Sequence, residues 1–267
     1  MEMARGLVKT SAGYMHYRAT GQGKPILLMH ANQRSSAMYL ELMEVLGKGL
    51  RVVAIDHPSH GMSDHIAGQP TMADYAMYVT EVMDGLRVPK ASFLGESFSA
   101  AVAVELANTY PERVDKIILV NCPFWQAHEQ DAHSQALLGL RDQRPSDATG
   151  FPITRTLAFV LERDPEHAPL HPTQTWMDRI NVAQIEAGRE RWQALNALAD
   201  YDMPANLERL QCPVLLIWGE HFLYLQCREE FTRRIQHHQP LVIPGGRFCL
   251  PWEHPAAVGQ ATLDFVA

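Results

Sequence analysis

The run Gly95-Glu96-Ser97-Phe98-Ser99 sets a serine among small neighbours, after the apolar residues 91–94 and before the small-residue stretch 100–107. As a strand, a tight turn and a helix, this segment lifts the Ser97 hydroxyl above a sheet edge. The N-terminus of the helix then lies directly behind it and favours negative charge at the reaction centre. Such a hydroxyl suits nucleophilic attack on an activated carbonyl. It is a poor nucleophile at neutral pH, so it needs a base within hydrogen-bond reach and usually an acid to orient that base. The sequence holds 13 histidines, but none in an HExxH spacing, and His237 and His238 read as a solvated turn. Metal-assisted hydrolysis is therefore disfavoured, and no cofactor is expected.

Short apolar runs rich in Val, Ile and Leu must position this turn. Residues 13–19, 25–30, 51–56, 91–95, 116–120, 214–218 and 240–244 read as strands, most of them buried on both faces of a mostly parallel sheet. Between them, Tyr39, Leu42, Met43 and Leu46 fall on one helical face. Tyr75, Val79, Val82, Met83 and Leu86 fall on another, behind the capping pair Thr71 and Asp74. The alternation of strand and helix stops after Val120 and resumes near Cys212, with helical stretches at 154–163 and 186–199 in between. This divides the chain into an α/β core, 1–121 and 210–267, and a helical cap, 122–209. Trp125, Trp176 and Trp192 in the cap either line a pocket or pack the insertion.

The chain has 267 residues, 46% hydrophobic and 20% charged, which is enough to bury a sizeable core. Its net charge of −7 is spread over mixed-sign segments without a basic stripe, which argues against nucleic acid as a partner. Neither a leader-like N-terminus nor a bilayer-length apolar run occurs. Four cysteines without CxxC pairing suit free thiols in a reducing compartment, so a cytoplasmic protein with a small-molecule substrate is expected.

The elbow resembles that of the α/β-hydrolase superfamily, written G-x-S-x-G, with Ser99 in place of the second glycine. His30-Ala31-Asn32-Gln33 is similar to the superfamily's His-Gly loop, with Ala31 for the glycine. Residues 56–63 are similar to its D-x-x-G-x-G-x-S turn, and Glu253-His254-Pro255 to the opening of its last helix. The resemblance runs from about Gly13 to the C-terminal helix. It implies an α/β-hydrolase fold: an eight-strand-type, mostly parallel sheet flanked by helices, with a helical cap insertion. It also implies an oxyanion hole from the backbone N–H groups of Asn32 and Phe98, acting on a small ester, thioester, lactone or activated carbonyl compound.

The superfamily's acid and histidine are missing where the pattern puts them. In Gly219-Glu220-His221-Phe222 the aspartate position falls on Phe222. In Gly245-Gly246-Arg247-Phe248 the histidine position falls on Arg247, a guanidinium that cannot accept a proton from Ser97; a shifted gap puts Phe248 there instead. The other superfamily acid position reads Asn121 and Cys122. Three arrangements fit this degenerate triad. A serine hydrolase of the esterase or lactonase class has relocated its partners, with His221 as base and Glu220 or Glu96 as acid. Alternatively, the scaffold is a non-hydrolytic, cofactor-free lyase, cyclase or isomerase, or a ligand-binding pseudo-hydrolase, in which Arg247 anchors an anion. In the third, Ser97 is an inert turn residue. Glu96 is expected beneath the elbow, where burial would raise its pKa.

Overall fold

Successive residues of a strand point to opposite faces, so a strand that is apolar at every position must be covered twice. The computed structural model describes residues 2–124 and 145–267 and meets this demand with an eight-stranded sheet between helical layers. The strand order is β1 (Ala4–Thr10), β2 (Gly13–Thr20), β4 (Leu50–Ile55), β3 (Lys24–Met29), β5 (Ala91–Glu96), β6 (Val114–Val120), β7 (Val214–Gly219), β8 (His238–Ile243). β1 pairs antiparallel with β2 and β2 with β4, and the remaining pairs are parallel.

The alternation splits the core in two. Ile26, Leu28, Val52, Ile118 and Ile217 face the helices α1 (Leu40–Leu46) and Pro255–Val266. Leu27, Met29, Phe93, Ile117 and Trp218 face the layer that contains α2 (Met72–Gly85) and α3 (Phe98–Thr109). The Thr71 hydroxyl accepts the Asp74 N–H at 3.2 Å, and the Asp74 carboxylate accepts the Thr71 N–H at 2.7 Å, so the expected capping pair forms.

Two elements differ from the sequence reading. β1 is an added edge strand that buries only Val8, so it carries no apolar run to announce it. The helical stretch read at 186–199 is broken: the helix Gln174–Ala187 ends at Gly188, whose φ is 56°, and a 3-10 turn leads into the helix Gln193–Ala199. The inserted segment between β6 and β7 packs on the core through a third cluster that includes Met38, Val160, Trp176 and Ile180. Trp176 is buried there, Trp192 lies beside the Arg191 guanidinium, and Trp125 falls outside the described residues. Among the described residues no helix is long and apolar enough to cross a membrane.

β3 lies between β4 and β5, so the connections on its two sides diverge and open a crevice at the carboxyl ends of the strands. Met29 stands opposite Gly95 in register, which brings the loop after β3 beside the turn after β5.

Candidate active site

β5 is buried along its length and ends at Glu96, and α3 begins at Phe98. Ser97 alone joins them, with φ 54° and ψ −117°, a conformation that costs a side-chain-bearing residue about 1–3 kcal/mol. The Ser97 N–H donates to Val120 O at 2.9 Å and the Ala100 N–H to Ser97 O at 2.9 Å, which holds the strain in place. Only glycine fits at position 95, because a β-carbon there would stand 2.1 Å from the Ser99 carbonyl oxygen. Ser97 lines a cavity of about 440 Å³ together with Asn32, Phe98, Phe222 and Phe248.

Glu96 lies beneath the elbow, 5% exposed. Burial drives its carboxyl up to about 8, against the pull of the Arg34 guanidinium and the Tyr39 hydroxyl, so it keeps its proton at neutral pH. It lines a small side cleft with Arg34, and the Ser97 cavity does not reach it.

Ser99, which stands where the superfamily has glycine, is fully buried and ties three segments together. Its hydroxyl donates to His30 O at 2.5 Å, so the 2.8 Å contact with His57 Nε2 must use the imidazole's proton. The His57 N–H in turn donates to His30 Nε2 at 3.1 Å, and His30 Nδ1 donates to Ala31 O at 2.8 Å. The loop carrying Asn32 is thereby fastened to α3 and to the turn after β4. Burial holds His30, His57 and His60 below the ordinary histidine value, His60 at about 3. In the same turn, burial pushes the Asp56 carboxyl up, but the His16 imidazole, His30 and the N–H groups of Met62 and Ser36 together hold it well below the usual carboxylate range.

The loops after β7 and β8 approach so closely that a β-carbon on Gly219 would lie 2.4 Å from Gly246 O. The Asn121 side chain locks them, accepting from the Gly219 N–H at 3.0 Å and donating to Arg247 O at 2.7 Å and Phe248 O at 3.0 Å. Phe222 and Phe248 line the cavity with ring centroids 6.3 Å apart. Arg247 is not part of the cavity lining, and its Nη1 donates to Pro165 O at 3.2 Å. His221 also stays off the lining, on the surface with its Nε2 3.9 Å from the equally exposed Glu220 carboxylate.

The inserted segment brings another histidine to the cavity. In the turn Asp164-Pro165-Glu166-His167, His167 Nδ1 donates to Asp164 Oδ1 at 2.6 Å, and both residues line the Ser97 cavity. Arg155, 5% exposed, donates to Asp164 Oδ2 at 3.0 Å, which keeps that carboxylate aimed at the imidazole. The turn is fixed to the core by the Arg247 bond and by the Cys249 thiol, which donates to His167 O at 3.6 Å. The His167 ring packs edge-on against Phe248 at 5.0 Å. With Nδ1 committed to the carboxylate, Nε2 is the nitrogen left for proton transfer. The sequence marks this pair only as two polar residues flanking a proline in a segment without strand register, so pattern reading passes over it.

The α/β-hydrolase fold family matches this chain over residues 24–255. Haloalkane dehalogenase 2 of Mycobacterium tuberculosis is 27% identical over 222 residues, which cover 79% of this chain and 75% of that protein. The (E)-2-((N-methylformamido)methylene)succinate hydrolase of Acinetobacter baylyi is 20% identical over 251 residues, 92% of this chain and 91% of that one. The enol-lactonase of Burkholderia xenovorans superposes with a TM-score of 0.75 at 20% identity, covering 98% of this chain and 99% of that one, a likeness of fold. The family match takes in the sheet from β3 onward, the elbow and both loops at the carboxyl ends of β7 and β8. This chain belongs to the α/β-hydrolase fold family.

Proposed function

We propose that the chain is a serine hydrolase of small acyl compounds, esters, thioesters or lactones, with Ser97 as nucleophile, His167 as base and Asp164 as the acid that orients it. The observation that carries this reading is the 2.6 Å Asp164–His167 contact in the lining of the Ser97 cavity. Imidazole and carboxylate stand in the same relation as in other serine hydrolases, but they come from the inserted segment and not from the loops after β7 and β8. The names of two similar proteins, an enol-lactonase and a methylenesuccinate hydrolase, support a hydrolytic reaction.

In this mechanism Ser97 Oγ attacks the acyl carbon while its proton passes to His167 Nε2. The oxyanion is held by the backbone N–H groups of Asn32 and Phe98; the latter opens α3 and has no intrahelical acceptor. The leaving alcohol or thiol takes the proton from His167. A water molecule then gives a proton to His167, attacks the acyl-serine and releases the acid, and the proton returns to Ser97. The strained elbow and the Ser99 network keep the nucleophile and the two amides in register.

A fluorophosphonate probe tests this directly. Stoichiometric labelling of the wild type, none in Ser97→Ala, and labelling slowed about 10²–10⁴-fold in His167→Ala is the expected outcome. Labelling of His167→Ala at the wild-type rate would remove His167 from the mechanism. A wild type that resists the probe would favour a second reading, a site that binds without hydrolysing, which the Phe222–Phe248 pair supports. Arg247 would not be its anion anchor, because that guanidinium is turned to Pro165 O.

A further inference from the structure

Arg34 lines the same cavity as Ser97 and is 3% exposed. A guanidinium remains charged at any working pH, and burying one without a counter-charge costs several kcal/mol. Buried or half-buried arginines elsewhere in this protein are either paired with a carboxylate, as Arg155 with Asp164 at 3.0 Å and Arg179 with Glu41 at 2.9 Å, or tied to neutral oxygens away from the cavity, as Arg18 to the Ser36 hydroxyl at 3.0 Å and Arg191 to Gly150 O, Gly188 O and the Ser146 hydroxyl. Among the described residues Arg34 has no carboxylate within 4 Å, and its one side-chain bond is from Nη1 to Gln33 O at 3.1 Å. Glu96, across the side cleft, makes no ion pair with Arg34 within 4 Å, and burial pushes its carboxyl up to about 8, which weakens it as a counter-charge. Of the acidic residues in the cavity lining, Asp164 is committed to Arg155 and His167, and Glu166 is exposed at the rim.

The rest of the lining is largely apolar, with Phe98, Leu195, Leu198, Phe222 and Phe248 around the cavity. The guanidinium therefore has several unused N–H donors at the edge of a space walled by hydrocarbon, the arrangement in which a planar anion is recognised most strongly. The other arginine in the lining, Arg163, is exposed and paired with Glu162, so one buried positive charge awaits a partner. A carboxylate matches that single charge in both magnitude and planarity, whereas a phosphate monoester brings an excess.

We infer that the Ser97 cavity selects acyl compounds that carry a free carboxylate, which the Arg34 guanidinium holds while the ester or lactone carbonyl lies at Ser97. The reactive half of this statement rests on the hydrolase reading, and the anion site stands without it.

The test separates the two by using Ser97→Ala, which binds without turnover. Titration calorimetry at pH 7.5 compares monoethyl glutarate with diethyl glutarate, two probes of similar shape that differ in one negative charge. The monoester is expected to bind about 10–100-fold more tightly, and that preference is expected to vanish in Ser97→Ala/Arg34→Met. Equal affinities in Ser97→Ala overturn the inference, as does a preference that survives the loss of Arg34. Should the methionine variant fail to fold, Arg34→Lys keeps the charge but loses the planar fork and should retain only part of the preference; if neither folds, the comparison in Ser97→Ala alone decides. A preference for the monoester in a protein whose serine resists fluorophosphonate would leave the carboxylate site standing and remove the hydrolase.

Discussion

Replacing Ser99 by alanine removes one hydroxyl and strands two partners. His30 O loses a 2.5 Å donor and the His57 Nε2–H loses its 2.8 Å acceptor, both where water cannot substitute. Each unsatisfied buried group costs about 1–3 kcal/mol, so the variant should lose about 2–6 kcal/mol. With about 2.1 cal/mol/K of unfolding entropy per residue, a chain of 267 residues drops about 2 °C for each kcal/mol, which gives a fall in Tm of about 4–12 °C. Ser99→Gly installs the superfamily's own residue, yet it should be at least as unstable, because it also loosens the first turn of α3. Thermal and urea melts measure both, and an unchanged m-value would assign the loss to the folded state. A His57→Leu cycle should show coupling with Ser99→Ala above about 1 kcal/mol. If Ser99→Ala melts within 1 °C of wild type, or if Ser99→Gly is the more stable of the two, the hydroxyl is a passenger and the account of this network is wrong.

Acid should unfold the protein early. The folded chain holds His30, His57 and His60 below the ordinary 6.5, so below about that pH the unfolded chain takes up protons that the folded chain refuses. Below that point each histidine removes about 1.4 kcal/mol per pH unit, while the Glu96 carboxyl, raised to about 8 by burial, returns about the same amount between about 8 and 4.5; the net is a modest gain from pH 7.5 to 6.5 and a loss below 6.5, with Asp56 adding its share below about 4. Melting temperatures at pH 7.5, 6.5 and 5.5 would contradict this if they stayed level. The aromatic pair offers a separate check: in a His167→Ala background, Phe248→His with Phe222→Asp should recover fluorophosphonate labelling of Ser97, and silence would show that the β7 and β8 loops no longer aim at the elbow.

Much of the fold could be read from residue patterns because burial on two faces writes itself as unbroken runs of Val, Ile and Leu. That signal marks β3, β4, β5, β6 and β7, and the serine at the end of β5 follows from the small residues that crowd its turn. It fails for β1, whose single buried side chain is set by pairing with β2 and not by a face of its own. It also leaves open whether Arg247 or Phe248 takes the histidine position, since both sit in a loop where no periodicity fixes the register. Asp164, His167 and Arg34 were illegible for a different reason: each owes its role to what stands opposite it across the cavity, and local sequence carries no record of that.

In the turn at 164–167 the imidazole and its carboxylate are three residues apart, so their spacing is a property of local backbone geometry. The same pair in a sheet-borne triad would depend on two distant loops staying in step. Heating that loosens the seam between insertion and sheet should therefore separate the intact Asp164–His167 pair from Ser97 before it disrupts the pair itself. Moving this short turn onto another member of the family would carry imidazole and carboxylate together as one transplantable part.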